Sequence, residues 1–170
     1  MYYLAQMVRY PYDFKQLIYS SQLVQADCIR SNVEHMRRAR GRCMGSAYWQ
    51  VNDSNPVISW SSIDYFGRWK GLHYYAKRFY APCLISCDDT HRKKPVLNIS
   101  NERMTAFDGI VKWKLRNNKA EILQSGEKSV NVPALTAQNV LLSTFQTSLK
   151  TVPTLVKNIS NIPLWKTARC

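Results

Sequence analysis

The sequence lacks the features that would place the protein in or across a membrane. None of its uninterrupted apolar runs approaches the roughly 20 residues needed to span a bilayer. The amino terminus contains no basic stretch followed by an apolar core, and no small-residue cleavage site, so it does not form a signal peptide. We therefore expect a cytoplasmic protein with no membrane partner.

Cysteine and histidine are few and poorly spaced for metal binding. The cysteines are odd in number and form no Cys-x-x-Cys pair with a matching histidine: Cys28, Cys43, Cys83, Cys87 and Cys170. The histidines have no mutual spacing suited to a metal or a proton relay: His35, His73 and His91. We expect reduced thiols, no metal and no cofactor, with each histidine on the surface or satisfied by packing.

Acidic residues are also scarce, with 11 Asp plus Glu against 24 Lys plus Arg and a formal net charge of +13. Such an excess is compatible with a basic nucleic-acid-binding protein. However, the cations concentrate in two short clusters, residues 37–42 and 91–94, and neither lies in a recognisable nucleic-acid-binding pattern. The cluster at 37–42 suits the end of a helix, where cations favour the negative pole of its dipole, and the run at 91–94 suits a solvated turn. We therefore expect no nucleic-acid partner.

What the 170-residue chain does contain is enough apolar material for a folded core. Hydrophobic residues make up 45% of it, and ten Tyr and five Trp are a heavy aromatic load. This length suits one ordinary domain, or one small domain plus part of another.

A long helix is predicted near the amino terminus. From Asp13 to Arg40 there is no glycine or proline, and apolar residues recur three or four positions apart. Asp13 suits the first turn, and Gly41 is a plausible stop in the left-handed conformation. The predicted apolar face consists of Phe14, Leu17, Ile18, Val24, Cys28 and Met36.

A strand, a loop and a second helix are predicted next. The run Cys43–Val51 is apolar with little alternation, which is typical of a strand buried on both faces of a parallel sheet. Residues 52–71 are rich in turn formers yet contain four aromatic residues, which is unusual for a simple connector. Leu72–Tyr80 can form a helix that ends before Pro82. Helix, strand and helix in this order indicate part of an α/β barrel.

Beyond Pro82 the pattern changes to short alternating runs. The predicted strands are Cys83–Ser86, Val96–Ile99, Ile110–Leu115 and Val140–Phe145. Turn formers at Asp108-Gly109 and Asn117-Asn118 separate them, which favours an antiparallel sandwich.

Three runs of sequence stand out as a set. They are Arg-Gly-Arg-Cys-Met-Gly-Ser-Ala-Tyr-Trp-Gln-Val-Asn-Asp at 40–53, Ser-Trp-Ser-Ser-Ile-Asp-Tyr-Phe-Gly-Arg-Trp-Lys at 59–70 and Leu-His-Tyr-Tyr-Ala-Lys-Arg-Phe-Tyr-Ala-Pro at 72–82. Together they closely resemble β-mannosidases of glycoside hydrolase family two. The resemblance implies that residues 1–82 are the carboxy-terminal part of a glycosidase (β/α)8 barrel, with Cys43–Val51 as its last strand. Residues 83–150 are then expected to form an immunoglobulin-like β-sandwich, and residues 151–170 an irregular tail.

The resemblance also implies a substrate and a set of contacts. Family members are retaining enzymes that release terminal β-linked mannose at the carboxyl face of the barrel strands. Substrate-binding residues are expected at Trp49, Asn52, Asp53 and Trp60, with a β-mannoside or manno-oligosaccharide as partner. Trp49 offers a flat indole on which the apolar face of a pyranose can pack. For Asn52-Asp53 an ordinary turn is equally compatible, and for Trp60 packing beneath the site is favoured over direct sugar contact.

The residues that perform the chemistry are not found. Retaining hydrolysis needs two carboxyl groups about 5 to 5.5 Å apart, which in this family are glutamates in Asn-Glu and Ser-Glu-Phe/Tyr-Gly contexts. The Ser-Glu-Phe/Tyr-Gly context does not occur, and the one Asn-Glu pair, Asn101-Glu102, lies in the predicted sandwich and not on a barrel strand. The only glutamates are Glu34, Glu102, Glu121 and Glu127. We therefore predict no catalytic residue here and no activity of the chain alone, with a missing upstream portion of the enzyme as a candidate partner. A non-catalytic carbohydrate-binding or structural sandwich module is the alternative.

Overall fold

The computed structural model describes residues 2–88, 96–117 and 119–140. The chain divides into two compact units. We call Met1–Arg37 with Gly41–Ala81 the helical unit, and Arg38–Arg40 with Pro82–Cys170 the sandwich unit.

The helical unit contains three helices, of which the second confirms the long helix predicted from periodicity. They are α1 (Tyr2–Met7), α2 (Phe14–Arg38) and α3 (Gly71–Phe79). The Asp13 carboxylate accepts a hydrogen bond from the backbone N–H of Gln16 at 2.7 Å, which caps the start of α2. Gly41 follows the helix with φ +96°, as expected of a left-handed stop.

The core of the helical unit lies where α3 packs on α2. Its buried members are Ala26, Val33, Leu72, Ala76 and Phe79. The apolar face predicted for α2 is therefore wrong in part, because Phe14 is 68% exposed and Ile18 is 42% exposed. Periodicity identifies a face of a helix but does not tell which turns of that face another element covers.

The strand predicted at Cys43–Val51 is not formed. These residues have no strand assignment, and Met44 and Trp49 are more than two-thirds exposed at 70% and 73%. A parallel strand exists only through hydrogen bonds to neighbouring strands. Every strand in the described residues belongs to the sandwich unit, so this segment has no sheet to join.

Within residues 83–88, 96–117 and 119–140, the sandwich unit contains five antiparallel strands in two sheets. The bounds are β1 (Cys83–Asp88), β2 (Val96–Asn101), β3 (Phe107–Arg116), β4 (Ile122–Val132) and β5 (Thr136–Val140). One sheet has the order β1-β2-β5, and the other pairs β3 with β4. The predicted antiparallel sandwich is thereby confirmed.

Apolar side chains of both sheets meet in one core. Its buried members are Ile99, Val111, Trp113, Leu115, Val132 and Val140. Alternation places the buried residues of β3 on one face and its cations on the other, as expected for a strand with one solvated face.

Two strand predictions need correction. Asp108-Gly109, predicted as a turn, lies inside β3 opposite Asn131 and Val130 of β4. The Asn131 amide donates a hydrogen bond to the Asp108 carboxylate at 2.8 Å, so the Asp108 side chain has a hydrogen-bond partner on the neighbouring strand. β4 itself was not predicted, because most of its side chains are exposed and polar. The run predicted at Val140–Phe145 lies, except for Val140, outside the described residues.

Candidate functional site

The expected sugar-contacting residues lie on the segment that connects α2 to α3. Trp49 is 73% exposed, and the peptide bond between Trp49 and Gln50 is cis. The segment then folds back on itself. Asn52 forms an isolated parallel β-bridge with Ile63, and the Ile63 N–H donates a hydrogen bond to the Val51 carbonyl at 2.7 Å. These contacts make residues 51–63 a closed loop.

Asp53 is the buried anchor of this loop. The Ser59 hydroxyl donates a hydrogen bond to its Oδ1, and the Ser61 hydroxyl donates to its Oδ2 at 2.7 Å. The Lys70 ammonium approaches the same Oδ2 at 3.1 Å and lies 2.7 Å from Ser61 Oγ. Both carboxylate oxygens are thus engaged within the loop, while Asp53 as a whole is only 5% exposed.

These contacts determine the charge state of Asp53. Hydrogen bonds from Ser59 and then Ser61, together with the nearby Lys70 ammonium, lower the pKa of the carboxyl from 3.8 to about 2 against the raising effect of desolvation. A catalytic general acid needs the opposite, a pKa raised towards neutrality. Asp53 is therefore suited to holding the loop rather than to giving up a proton.

The second acidic residue of the segment is also engaged. Desolvation acts to raise the pKa of Asp64, but hydrogen bonds from the backbone N–H and the guanidinium of Arg68 outweigh it and the pKa is lowered. Arg68 Nε lies 2.6 Å from Asp64 Oδ2. This ion pair, with the hydrogen bond from the Arg68 N–H to Asp64 Oδ1, closes the turn around Gly67.

His73 takes part in a local network at the start of α3. Its Nδ1 lies 3.2 Å from Ser62 Oγ, which also accepts a hydrogen bond from the Tyr48 hydroxyl at 3.0 Å. The Trp69 ring lies against the imidazole, with centroids 4.4 Å apart. His73 is thus a satisfied packing residue, as the sequence predicted.

The four expected substrate-binding residues therefore occupy two different environments. Trp49, Asn52 and Trp60 are exposed, whereas Asp53 is buried in the hydrogen-bond cluster. The cluster partners Ser59, Ser61 and Lys70 were missed from sequence. The only signal for them is the alternation Ser59-Trp60-Ser61, which turns both hydroxyls to one side and the indole to the other.

The described residues offer no metal centre. No group of three or more His, Cys, Asp or Glu side chains among them could hold a metal ion. Within the same residues, no helix is both long and apolar enough to cross a bilayer.

Comparison with known proteins agrees with the resemblance seen in the sequence. Residues 94–162 match the family described as Mannosidase Ig/CBM-like domain. The β-mannosidase of Capra hircus is 46% identical over 78 residues, which are 42% of this chain and 9% of the goat protein. β-Mannosidase A of Aspergillus terreus is 42% identical over 77 residues, which are 44% of this chain and 8% of the fungal protein.

The chain is homologous to β-mannosidases. A solved β-D-mannosidase from Dictyoglomus thermophilum superposes with a TM-score of 0.71 at 26% identity, covering 82% of this chain and 17% of the other. An exo-chitosanase of Amycolatopsis orientalis shares the fold, with a TM-score of 0.70 at 20% identity and the same coverage. The homology confirms the glycosidase resemblance, and the immunoglobulin-like description of the matched family agrees with the observed sandwich.

The match to each β-mannosidase is partial. The chain covers less than a tenth of the length of the curated relatives described above. The activity, substrate and partners of a whole β-mannosidase are consequently matters of proposal for this chain.

Proposed function

We propose that this chain supplies one wall of the mannose site of a retaining β-mannosidase of glycoside hydrolase family two. The observation behind the proposal is that Trp49 and Trp60 expose their indoles on the segment between α2 and α3, whose buried side is fixed by Asp53 and Lys70. Indole faces pack on the C–H face of a pyranose, and Asn52 offers an exposed amide beside them for sugar hydroxyls. The sugar is the terminal β-D-mannose of a β-mannoside or manno-oligosaccharide.

In this proposal the catalytic pair comes from outside the chain. Asp53 and Asp64 have lowered pKa values and are engaged by Lys70 and Arg68, so neither is available as acid or nucleophile. The two glutamates required for a covalent glycosyl intermediate belong to an upstream portion of the enzyme. Asp53 then holds the loop beside them and makes no direct sugar contact.

The test is an assay with an aryl β-mannoside. We expect no turnover by the purified chain alone, and turnover when the separately expressed upstream portion is added. Trp49→Ala should lower that restored activity at least about tenfold, because it removes a stacking surface. Turnover by the chain alone that disappears in Asp53→Asn or Asp64→Asn would show that the catalytic groups are misassigned.

A second candidate is a non-catalytic carbohydrate-binding module. It is favoured by the match of residues 94–162 to an Ig/CBM-like family, which includes most of the described sandwich strands. Here mannoside binding would survive the double substitution Trp49→Ala and Trp60→Ala, whereas the wall proposal requires its loss.

A cytoplasmic location also stays a prediction, checked by fractionation of cells that express the chain.

A further inference from the structure

Trp60 is displayed outward from a backbone that is fixed on its inner side. The residues before and after it, Ser59 and Ser61, turn their hydroxyls inward to the Asp53 carboxylate. Ser61 is fully buried at 0% exposure, while Trp60 between the two serines is 59% exposed. An exposed indole with this backbone support is preorganised for contact with a ligand.

The inner side is completed by a single cation. Lys70 Nζ lies 2.7 Å from Ser61 Oγ, 3.3 Å from Ser59 Oγ and 3.1 Å from Asp53 Oδ2. The ammonium thus engages both serines that flank Trp60.

A second restraint on Trp60 comes from α2. Gln25 Nε2 donates a hydrogen bond of 2.7 Å to the carbonyl oxygen of Trp60 itself. Three residues earlier, Gln22 Oε1 accepts a hydrogen bond of 2.9 Å from the backbone N–H of Gly71 at the start of α3. Residues three apart lie on the same helix face, so one face of α2 holds both ends of the segment between Trp60 and α3.

We infer that Gln25 is a positioning residue for Trp60. Its amide fixes the peptide plane that follows the indole, and thereby the direction in which the indole points. This inference rests on the proposed function, in which Trp60 contacts the sugar. It adds that the contact depends on a side chain of α2 that never touches the sugar.

The experiment compares four proteins by NMR, using the indole N–H signals. They are the wild-type chain, Gln25→Met, which keeps the length but loses the donor, Gln25→Lys, which restores a donor of similar reach, and Gln6→Met. Gln6 is an exposed residue of α1 and provides the matched control. Trp60→Phe assigns the Trp60 signal, and thermal unfolding is followed in parallel.

Two readouts are recorded for each protein. The first is the Trp60 indole signal without ligand, and the second is the Kd for methyl β-D-mannoside. We expect Gln25→Met alone to shift and broaden the Trp60 signal and to raise the Kd about three- to tenfold. Gln25→Lys should recover both readouts at least in part, and Gln6→Met should match the wild type.

The outcomes separate this inference from the proposed function. A Trp60 signal and Kd in Gln25→Met that equal those of the wild type would overturn the positioning role. A ligand-free change confined to Trp60, with no mannoside binding by any variant, would support the positioning and contradict the proposed function. An equal disturbance of all indole signals and of the unfolding midpoint would mean that Gln25 has only a structural role, which also overturns the inference.

Discussion

The sandwich unit and the helical unit are stabilised by different kinds of contact. In the sandwich unit, strands from two sheets bury one continuous apolar core that includes Trp113 and Ile99. In the helical unit the apolar core is confined to the contact between α2 and α3, and the long loop depends on the polar cluster around Asp53. The comparison indicates that the sandwich unit should respond most to changes of buried volume and of buried hydrogen bonds. The loop should respond to changes of charge.

The largest expected effect lies in the sandwich unit, at the fully buried side chain of Asn101. Its amide donates to the carbonyls of Thr105 at 3.0 Å and Pro133 at 2.9 Å, and its Oδ1 accepts from the N–H of Arg103 at 2.9 Å. Asn101→Ala should lower the free energy of unfolding by about 3 kcal/mol, because buried carbonyls lose their donor. The matched control is Asn131→Ala at an exposed position, where less than about 1 kcal/mol is expected. Equal losses in urea unfolding would contradict this account of Asn101.

A somewhat smaller effect is expected at Gly126 of β4. A Cβ built there would lie 2.8 Å from three atoms of the Trp113 indole, and that ring is only 6% exposed. Gly126→Ala should destabilise the sandwich unit by about 1 to 3 kcal/mol, because the buried ring must shift. At Gly45 a Cβ meets nothing within 4 Å, so Gly45→Ala should change the unfolding midpoint little. A stabilising Gly126→Ala would show that the Trp113 ring has room to move.

The strand that contains Gly126 also shows what sequence patterns could not predict. The helices α2 and α3 and the apolar strand β3 were predicted, because a helical or alternating period identifies such elements directly. β4 was missed, since Gln124, Ser125 and Gly126 resemble a turn region and form a strand only through their pairing with β3.

The candidate site likewise has one part that the sequence predicted and one part that it did not. An aromatic-rich loop was evident from composition, and the exposure of Trp49 and Trp60 agrees with it. The burial of Asp53 could not be predicted, because it depends on where the chain brings Ser61 and Lys70, eight and seventeen residues further on.

In the helical unit the expected effect is local and depends on pH. The pKa of Asp53 is lowered in the folded loop, so its contribution is complete above 3.8 and is lost as the pH falls through about 2. The Trp60 indole signal should therefore change between about pH 4 and pH 2. Asp53→Asn should lack this transition and should already show an altered loop at neutral pH. The Trp113 signal of the sandwich unit serves as the internal reference, and identical acid titrations of wild type and Asp53→Asn would contradict the assignment.

The smallest effect is expected at the surface of the sandwich unit. Lys112 and Glu127 form an ion pair at 3.4 Å with side chains 67% and 65% exposed. Lys112→Ala should change the free energy of unfolding by less than about 0.5 kcal/mol, because solvent screens such pairs. A loss near that of Asn101→Ala would mean that surface charge contributes far more to this unit than the comparison implies.

The most direct test of the central claim is a titration of the chain with methyl β-D-mannoside, observed at all indole N–H signals together. For a ligand of this size, about 0.3 kcal/mol per non-hydrogen atom gives a Kd near 1 mM. The account predicts saturable shifts at Trp49 and Trp60 of the helical unit and none at Trp113 of the sandwich unit. Saturable shifts confined to the sandwich unit, or no saturation well above that concentration, would contradict the claim that the loop of the helical unit forms the sugar-binding wall.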